Sequence, residues 1–139
     1  MSAPTGEAVV RALWDALRPD GDRDAVLALL TEDYVRHTSG GGQVGRDGFV
    51  SMMRGLHTAF PDLRTQVEDV VCADKRVAYR WSSSGTHQGE YLGVAPTGRR
   101  ITASGITFAH LRDGRIAQEW TSWNKTSVLH ALGIFPLDP

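Results

Sequence analysis

The chain has little of several features that mark particular classes of protein. Its single cysteine, Cys72, excludes an intramolecular disulfide, and the apolar run of residues 70–73 predicts a buried side chain. A net charge of −1, from 15 basic and 16 acidic residues, argues against nucleic acid and anionic membranes as partners. No apolar run reaches membrane length, and the first residues lack the basic start and apolar stretch of a signal peptide. We therefore expect a cytoplasmic protein.

The five histidines do not have the spacing of metal ligands. His87 and Glu90 are three residues apart, but this spacing places two side chains on one face only in a helix, and the segment has the composition of strand and turn. The short motifs of serine hydrolases, phosphate-binding loops and zinc proteases are also absent. We expect neither a bound metal nor another cofactor.

The first half of the chain has the periodicity of helices. Apolar residues recur at helical spacing over residues 7–17, 25–30 and 46–59. A short strand is predicted at residues 34–38, before a glycine-rich turn.

The second half has the pattern of long strands, followed by a short helix that Asn124 caps and Gly133 ends. The predicted strands are residues 63–73, 76–86, 99–111 and 115–123. Because short turns join them, neighbours should pair antiparallel. Helices followed by such a meander predict one α+β domain over residues 1–139, with the helices on one face of the sheet.

Alternation along the last two strands separates their side chains onto two faces. One face carries the small residues Gly105, Thr107 and Ala109, which predict space for a small-molecule pocket. The other face carries Ile106, Phe108 and Trp120, a set too apolar for a face left in water. The second face therefore predicts a homodimer.

Glu119 is the strongest candidate for a catalytic residue. Alternation directs it to the pocket face among apolar neighbours, where burial favours the protonated form and suits a proton shuttle. A salt bridge to an arginine is the alternative interpretation. His37, on the short strand, is a second candidate because its side chain titrates in a useful range, although a surface histidine is equally consistent with the sequence.

The pocket face also predicts a lining for a hydrophobic substrate. A flat polycyclic or polyene compound suits a wall of large side chains, while each of them is equally a normal core residue. The candidate substrate-binding residues are Trp14, Met53, Tyr79, Trp81 and Trp123.

Three segments carry a resemblance to a known family: residues 59–63 (AFPDL), 85–99 (GTHQGEYLGVAPTGR) and 113–120 (DGRIAQEW). They resemble the SnoaL-like polyketide cyclases of the nuclear-transport-factor-like and ketosteroid-isomerase-like superfamily. The resemblance implies a helix-lined cone packed on a curved antiparallel sheet, the cystatin-like α+β barrel. It also implies cofactor-independent chemistry on a polyketide intermediate in antibiotic biosynthesis.

The chain departs from the family at two positions. In the cyclases that close the last ring of aromatic polyketides, an Asp acts as acid and base and a His on the next strand assists it. The matching residues are Thr121 and Thr107, whose hydroxyls do not exchange protons usefully near neutral pH. We therefore expect a cyclase or isomerase of the aldol or cycloaddition type, with polarisation by Glu119, Thr121, Thr107 or His37.

Two alternatives come from other functional classes. An epoxide-opening hydrolase or hydroxylase-type relative would need an inward carboxylate that activates water. A non-catalytic small-molecule-binding or partner protein would keep only the cone.

Overall fold

The computed structural model describes residues 5–134 and contains four helices and six strands within that range. The helices are α1 (Gly6–Ala16), α2 (Arg23–Leu29), α3 (Arg46–Ala59) and α4 (Lys125–Ala131). The strands are β1 (Leu30–Thr38), β2 (Gln43–Gly45), β3 (Arg64–Ala73), β4 (Arg76–Thr86), β5 (Arg100–Arg112) and β6 (Arg115–Trp123). No helix in this range is long and apolar enough to cross a membrane.

The six strands form one curved sheet in the order β2-β1-β6-β5-β4-β3, which does not close on itself. Hairpin neighbours pair antiparallel, as their short turns predict, whereas β1 pairs with β6 in parallel. Helices α1 and α3 share a hydrophobic core with the inward face of the sheet, to which they contribute Leu13, Trp14, Phe49 and Met53. The predicted α+β cone is confirmed.

Most predicted elements are present, with differences around β1. Helix α3 and strands β4 and β6 have the predicted bounds. Strand β1 begins at Leu30, directly after α2, rather than at Tyr34. The three-residue β2 was not predicted because its alternation is too short to detect, and the parallel β1–β6 pair was not predicted because no short turn joins these strands.

The register of the sheet arranges the inward side chains in layers. In the first layer Arg36 of β1 pairs with Glu119 of β6, which pairs with Ala109 of β5. The next layer runs through Thr121, Thr107 and Tyr79, and the third contains Trp123, Gly105 and Trp81. These three layers contain most of the candidate site residues.

Two predictions about individual residues are wrong. Cys72 is exposed on β3, which is an edge strand of the sheet. The space left by Gly105 is filled by aromatic rings: a Cβ there would lie 2.6 Å from Cζ2 of Trp81 and 2.8 Å from Cβ of Trp123. The absence of a side chain at Gly105 allows the indoles of Trp81 and Trp123 to pack closely against the backbone.

Candidate active site

Glu119 lies at the centre of a buried hydrogen-bond network. Its Oε1 accepts from the Tyr34 hydroxyl at 2.6 Å and from Nη1 of Arg36 at 3.0 Å. Its Oε2 accepts from the Tyr79 hydroxyl at 2.8 Å, and that hydroxyl accepts from Nε1 of Trp14 at 3.0 Å. Glu119 is 0 % exposed and Arg36 is 5 % exposed, so the two form a buried ion pair.

The network keeps the phenols of Tyr34 and Tyr79 and the guanidinium of Arg36 protonated. Burial, followed by the charge of Glu119, raises the pKa of Tyr34 and Tyr79 well above the usual value for a phenol, so both remain donors. Desolvation opposes the charge on Arg36, but the attraction of Glu119 outweighs it and raises the pKa of the guanidinium. Both carboxylate oxygens of Glu119 are occupied, which supports the salt-bridge interpretation over direct contact with a substrate.

Arg36 was missed in the sequence, although a signal was present. Strand β1 alternates so that Tyr34 and Arg36 point inward, and the Arg36 guanidinium also lies 4.8 Å from the centre of the Phe49 ring. The same alternation directs His37 outward, where it stacks on Trp120 at 4.9 Å and contacts the Gln118 side chain. The structure therefore places the candidate His37 on the outer face of the sheet, away from Glu119 and the two threonines.

A second polar chain lies one layer from Glu119. Nε1 of Trp81 donates to Oγ1 of Thr107 at 3.0 Å, and the hydroxyls of Thr107 and Thr121 are 2.9 Å apart. Thr107 is 0 % exposed, while Thr121 retains 6 % exposure. Thr107 and Thr121 are the positions at which the chain departs from the cyclases that it resembles. They are hydrogen-bonded to each other, and Thr107 is also hydrogen-bonded to Trp81, a predicted substrate-binding residue.

The direction of this chain follows from the cost of an unpaired buried donor. The indole N–H of Trp81 can only donate, so the Thr107 oxygen accepts from it. If Thr107 donates in turn to Thr121, the fully buried Thr107 hydroxyl has a partner and the spare hydrogen is on Thr121, which keeps 6 % exposure. The reverse order would leave the Thr107 hydroxyl buried with nothing to donate to. Thr121 therefore carries the available hydrogen, at the accessible end of the chain.

Three of the large side chains predicted to bind substrate belong to these two clusters: Trp14 and Tyr79 to the Glu119 network, and Trp81 to the threonine chain. Tyr79 is fully buried, whereas Trp14, Met53 and Trp81 keep a small accessible surface and Trp123 is half-buried. The rings of Trp81 and Trp123 lie 6.5 Å apart at 43°. Two surface grooves, of about 310 and 620 Å³, are present, and none of the nine candidate residues lines either of them. The aromatic residues are brought together as predicted, but they pack closely.

No group of three or more His, Cys, Asp or Glu side chains within residues 5–134 has the geometry to hold a metal ion. His87 and Glu90 do not come together as a pair. His87 is buried against Phe60, whereas Glu90 is exposed. The polar groups of the cone are carboxylate, guanidinium, phenol, indole and hydroxyl, which suit hydrogen bonding and charge stabilisation.

Comparison with known proteins extends this description. The chain is similar over its length to the solved structure of AclR, a candidate hydroxylase from Streptomyces galilaeus, with 29% identity and a TM-score of 0.83, covering 96% of this chain and 83% of AclR. It is similar to IdmH, a candidate polyketide cyclase from Streptomyces antibioticus, with 30% identity and a TM-score of 0.82, covering 92% of this chain and 98% of IdmH.

A SnoaL-like protein from Jannaschia sp. CCS1 shares the fold, with a TM-score of 0.83 at 23% identity over 94% of this chain and 92% of that protein. No curated protein matches the chain. The family model of the SnoaL-like polyketide cyclases matches residues 8–132, which extend from within α1 to just beyond the end of α4. The protein is a member of the SnoaL-like polyketide cyclase family.

Proposed function

We propose that this protein is a cytoplasmic enzyme of antibiotic biosynthesis that closes a ring in, or isomerises, a polyketide intermediate without a cofactor. The substrate would lie between the indoles of Trp81 and Trp123, with a carbonyl oxygen at Thr121. Family membership and the similarity to IdmH support the substrate class. The reaction type rests on the chemistry of the side chains inside the cone.

The observation that carries the proposal is the hydrogen-bond chain from Trp81 through Thr107 to Thr121. Hydrogen bonds in series polarise one another, so the Thr121 hydroxyl is a better donor than an isolated threonine. A donor directed at a carbonyl oxygen withdraws electron density, which favours both aldol addition and cycloaddition. Removal of one such donor costs about 10²–10³ in kcat in enzymes that stabilise an oxyanion.

Substrate shape would supply most of the rate. Holding two ends of a flexible chain in reactive geometry can contribute up to about 7–11 kcal/mol in well-oriented intramolecular reactions. Rigid walls are required for this effect. The network around Glu119 supplies rigidity, because it ties α1 to β1, β4 and β6 through Trp14, Arg36 and Tyr79. In this role Glu119 is a structural anion, and Thr121 is the residue that meets the substrate.

The epoxide-opening or hydroxylating alternative has one supporting observation, the similarity to AclR. Such chemistry needs a carboxylate free to activate water. Glu119 is the one carboxylate of the inward layers described above, and both of its oxygens already accept hydrogen bonds from Tyr34, Arg36 and Tyr79. This occupancy favours ring closure over water activation.

The close packing of the cone favours a second candidate, a binding or partner protein without catalysis. Trp81 and Trp123 fill the space beside Gly105, so a substrate can enter only if these indoles move apart. An enzyme opens this layer on binding its substrate. A partner protein that takes no small molecule into the cone has no need to do so.

We also propose that the protein is a homodimer that buries the outer face of the sheet. Val71, Phe108 and Trp120 align across the strands in one transverse row, and Ile106 lies beside them. Val71 and Ile106 are 67% and 59% exposed, which leaves a contiguous apolar surface in water. A two-fold dimer pairs this surface with itself.

The experiment that tests the function is deletion of the gene in its host. We expect a linear or partly cyclised polyketide to accumulate, and the purified protein should convert that compound to the ringed product without added cofactor. Accumulation of an unhydroxylated or unopened epoxide precursor would favour the AclR-like alternative. An unchanged metabolite profile would favour the non-catalytic one.

A further inference from the structure

His87 directly follows β4, which ends at Thr86, and it lies on the face that points into the cone. It continues the inward series of Trp81, Ser83 and Gly85, and it is 0 % exposed. Its backbone pairs with Arg99 and Gly98 at the base of the connection to β5. The imidazole is therefore fixed in position at the end of the cone opposite the layer of Thr121.

One ring nitrogen of His87 has a clear structural role. The backbone N–H of Thr97 donates to Nδ1 at 3.2 Å, and the Thr97 hydroxyl lies 2.9 Å from the same atom. A backbone N–H can only donate, so Nδ1 must be the unprotonated, accepting nitrogen of a neutral imidazole. The proton of His87 is consequently on Nε2.

The other nitrogen, Nε2, has no hydrogen-bond partner in the protein. Within residues 5–134 only two buried side-chain nitrogens lack a partner, Nε of Arg46 and Nε2 of His87. Arg46 is half-buried and has further N–H groups on its guanidinium, whereas the N–H of His87 is its only donor. Proteins retain few such groups because each is destabilising, and a binding role is one of the accepted reasons to keep one.

The surroundings of Nε2 indicate what it would bind. The Phe60 ring lies 5.5 Å from the imidazole, and the Tyr91 ring lies 5.4 Å from Phe60. An uncharged donor beside aromatic faces suits a neutral oxygen on an aromatic or polyene skeleton. It does not suit a carboxylate, because the cationic partner needed to bury that charge is absent from this set of contacts.

We propose that Nε2–H of His87, beside Phe60, donates a hydrogen bond to a neutral carbonyl, hydroxyl or ether oxygen of a compound inside the cone. This inference shares one requirement with the proposed function, namely that a hydrophobic ligand enters the cone. His87 is a binding residue for one oxygen of that ligand, separate from the donor at Thr121.

Two substitutions separate this role from the structural one. His87→Asn keeps an acceptor near Nδ1 for the Thr97 N–H and removes the donor at Nε2. His87→Gln does the reverse, because its amide reaches the position of Nε2 and leaves Thr97 without an acceptor. The asparagine variant should keep the thermal stability of the wild type and lose the ligand contact. The glutamine variant should lose stability and keep part of the contact.

The ligand contact can be measured with a matched pair of probes, 2-acetylnaphthalene and 2-ethylnaphthalene, by tryptophan fluorescence. A neutral hydrogen bond corresponds to roughly 2- to 12-fold in affinity, so the wild type should bind the ketone more tightly by this factor. His87→Asn should lose the part of the ketone preference that Nε2–H contributes, while His87→Gln keeps part of it. Histidine nitrogen NMR should show the Nε2–H tautomer in the free protein and a shifted Nε2–H resonance with the ketone alone.

Several outcomes would overturn the proposal: a proton on Nδ1, equal binding of the two probes by the wild type, no binding of either, or an unchanged preference in His87→Asn. Thr121→Val serves as the control, because it removes the other donor and should leave the His87 resonance shift intact. A ketone preference that depends on His87 would stand even if gene deletion left the metabolites unchanged. The binding site and the catalytic function are thus tested separately.

Discussion

Replacing Glu119 by Gln should destabilise the protein strongly because it leaves Arg36 charged and unpaired in the core. Glutamine has nearly the shape of glutamate, so packing is preserved and the perturbation is electrostatic. The guanidinium is 5 % exposed, and within residues 5–134 its one ionic partner is the Glu119 carboxylate at 3.0 Å. The glutamine amide also cannot accept from Tyr34, Arg36 and Tyr79 together, as the two carboxylate oxygens do.

The size of the effect follows from measured buried pairs. Removal of one partner from a buried ion pair costs about 3–5 kcal/mol. With 139 residues and about 2.1 cal/mol/K per residue, the entropy of unfolding is about 0.29 kcal/mol/K. The melting temperature should therefore fall by roughly 10–17 °C. Arg36→Met should cost a similar amount, because it leaves Glu119 as the unpaired charge.

The double variant Arg36→Met/Glu119→Gln provides the decisive comparison. It contains no uncompensated charge, so its stability should return to within about 2 kcal/mol of the wild type, well short of the sum of the single effects. Urea unfolding followed by circular dichroism gives the three free energies at one pH. Additive single effects, or a loss below about 1 kcal/mol for Glu119→Gln, would refute a buried, mutually dependent pair and reopen the proton-shuttle role.

Three further predictions concern other parts of the molecule. Phe108→Glu should weaken the homodimer, because it places a charge in the apolar row with Trp120. Light scattering should give the monomer mass for this variant and the dimer mass for the wild type. A monomeric wild type at micromolar concentration would contradict the interface. Activity on the accumulated intermediate should survive EDTA, and loss followed by rescue with one divalent ion would show that a metal is needed. The Asp62 carboxylate accepts from the Thr86 backbone N–H at 2.7 Å and from the Thr86 hydroxyl at 2.8 Å. These bonds, the backbone one above all, lower the pKa of the Asp62 carboxyl. The stabilisation they provide should therefore be complete above the usual carboxyl pKa and lost as pH falls through the lowered pKa. Asp62→Ala should therefore reduce the melting temperature at pH 7 and have little effect near pH 2, and a reduction that persists in acid would contradict that linkage.

The long, regular elements could be predicted from the sequence because their periods extend over many residues. Helix α3 and strands β4 and β6 have the predicted bounds for this reason. Alternation also identified Thr107, Glu119 and Thr121 as residues of one face, and the register confirms that they lie in adjacent layers. Short or non-local features were not accessible in this way, as β2 and the parallel pairing of β1 illustrate.

The partners of Glu119 could not be deduced because they come from distant positions. Tyr34 and Arg36 reach it across the parallel pair, 85 and 83 residues away in the chain. The small residue at position 105 predicted a space but gave no indication of what fills it. Only the fold brings Trp81 and Trp123 to that glycine. His37 was misplaced because alternation shows only that it lies opposite Tyr34 and Arg36, and the packing of the fold decides which of these two faces is buried.

The chemistry proposed for the cone is tested most directly by the rate at which purified Thr121→Val and Thr121→Ser convert the intermediate that accumulates on gene deletion. Valine keeps the volume of threonine and removes its hydroxyl, whereas serine keeps the hydroxyl. If Thr121 donates to the reacting carbonyl, kcat should fall roughly 10²-fold for valine and remain within a few-fold of the wild type for serine, with both variants folded. Wild-type turnover by Thr121→Val would contradict polarisation by the Trp81–Thr107–Thr121 chain.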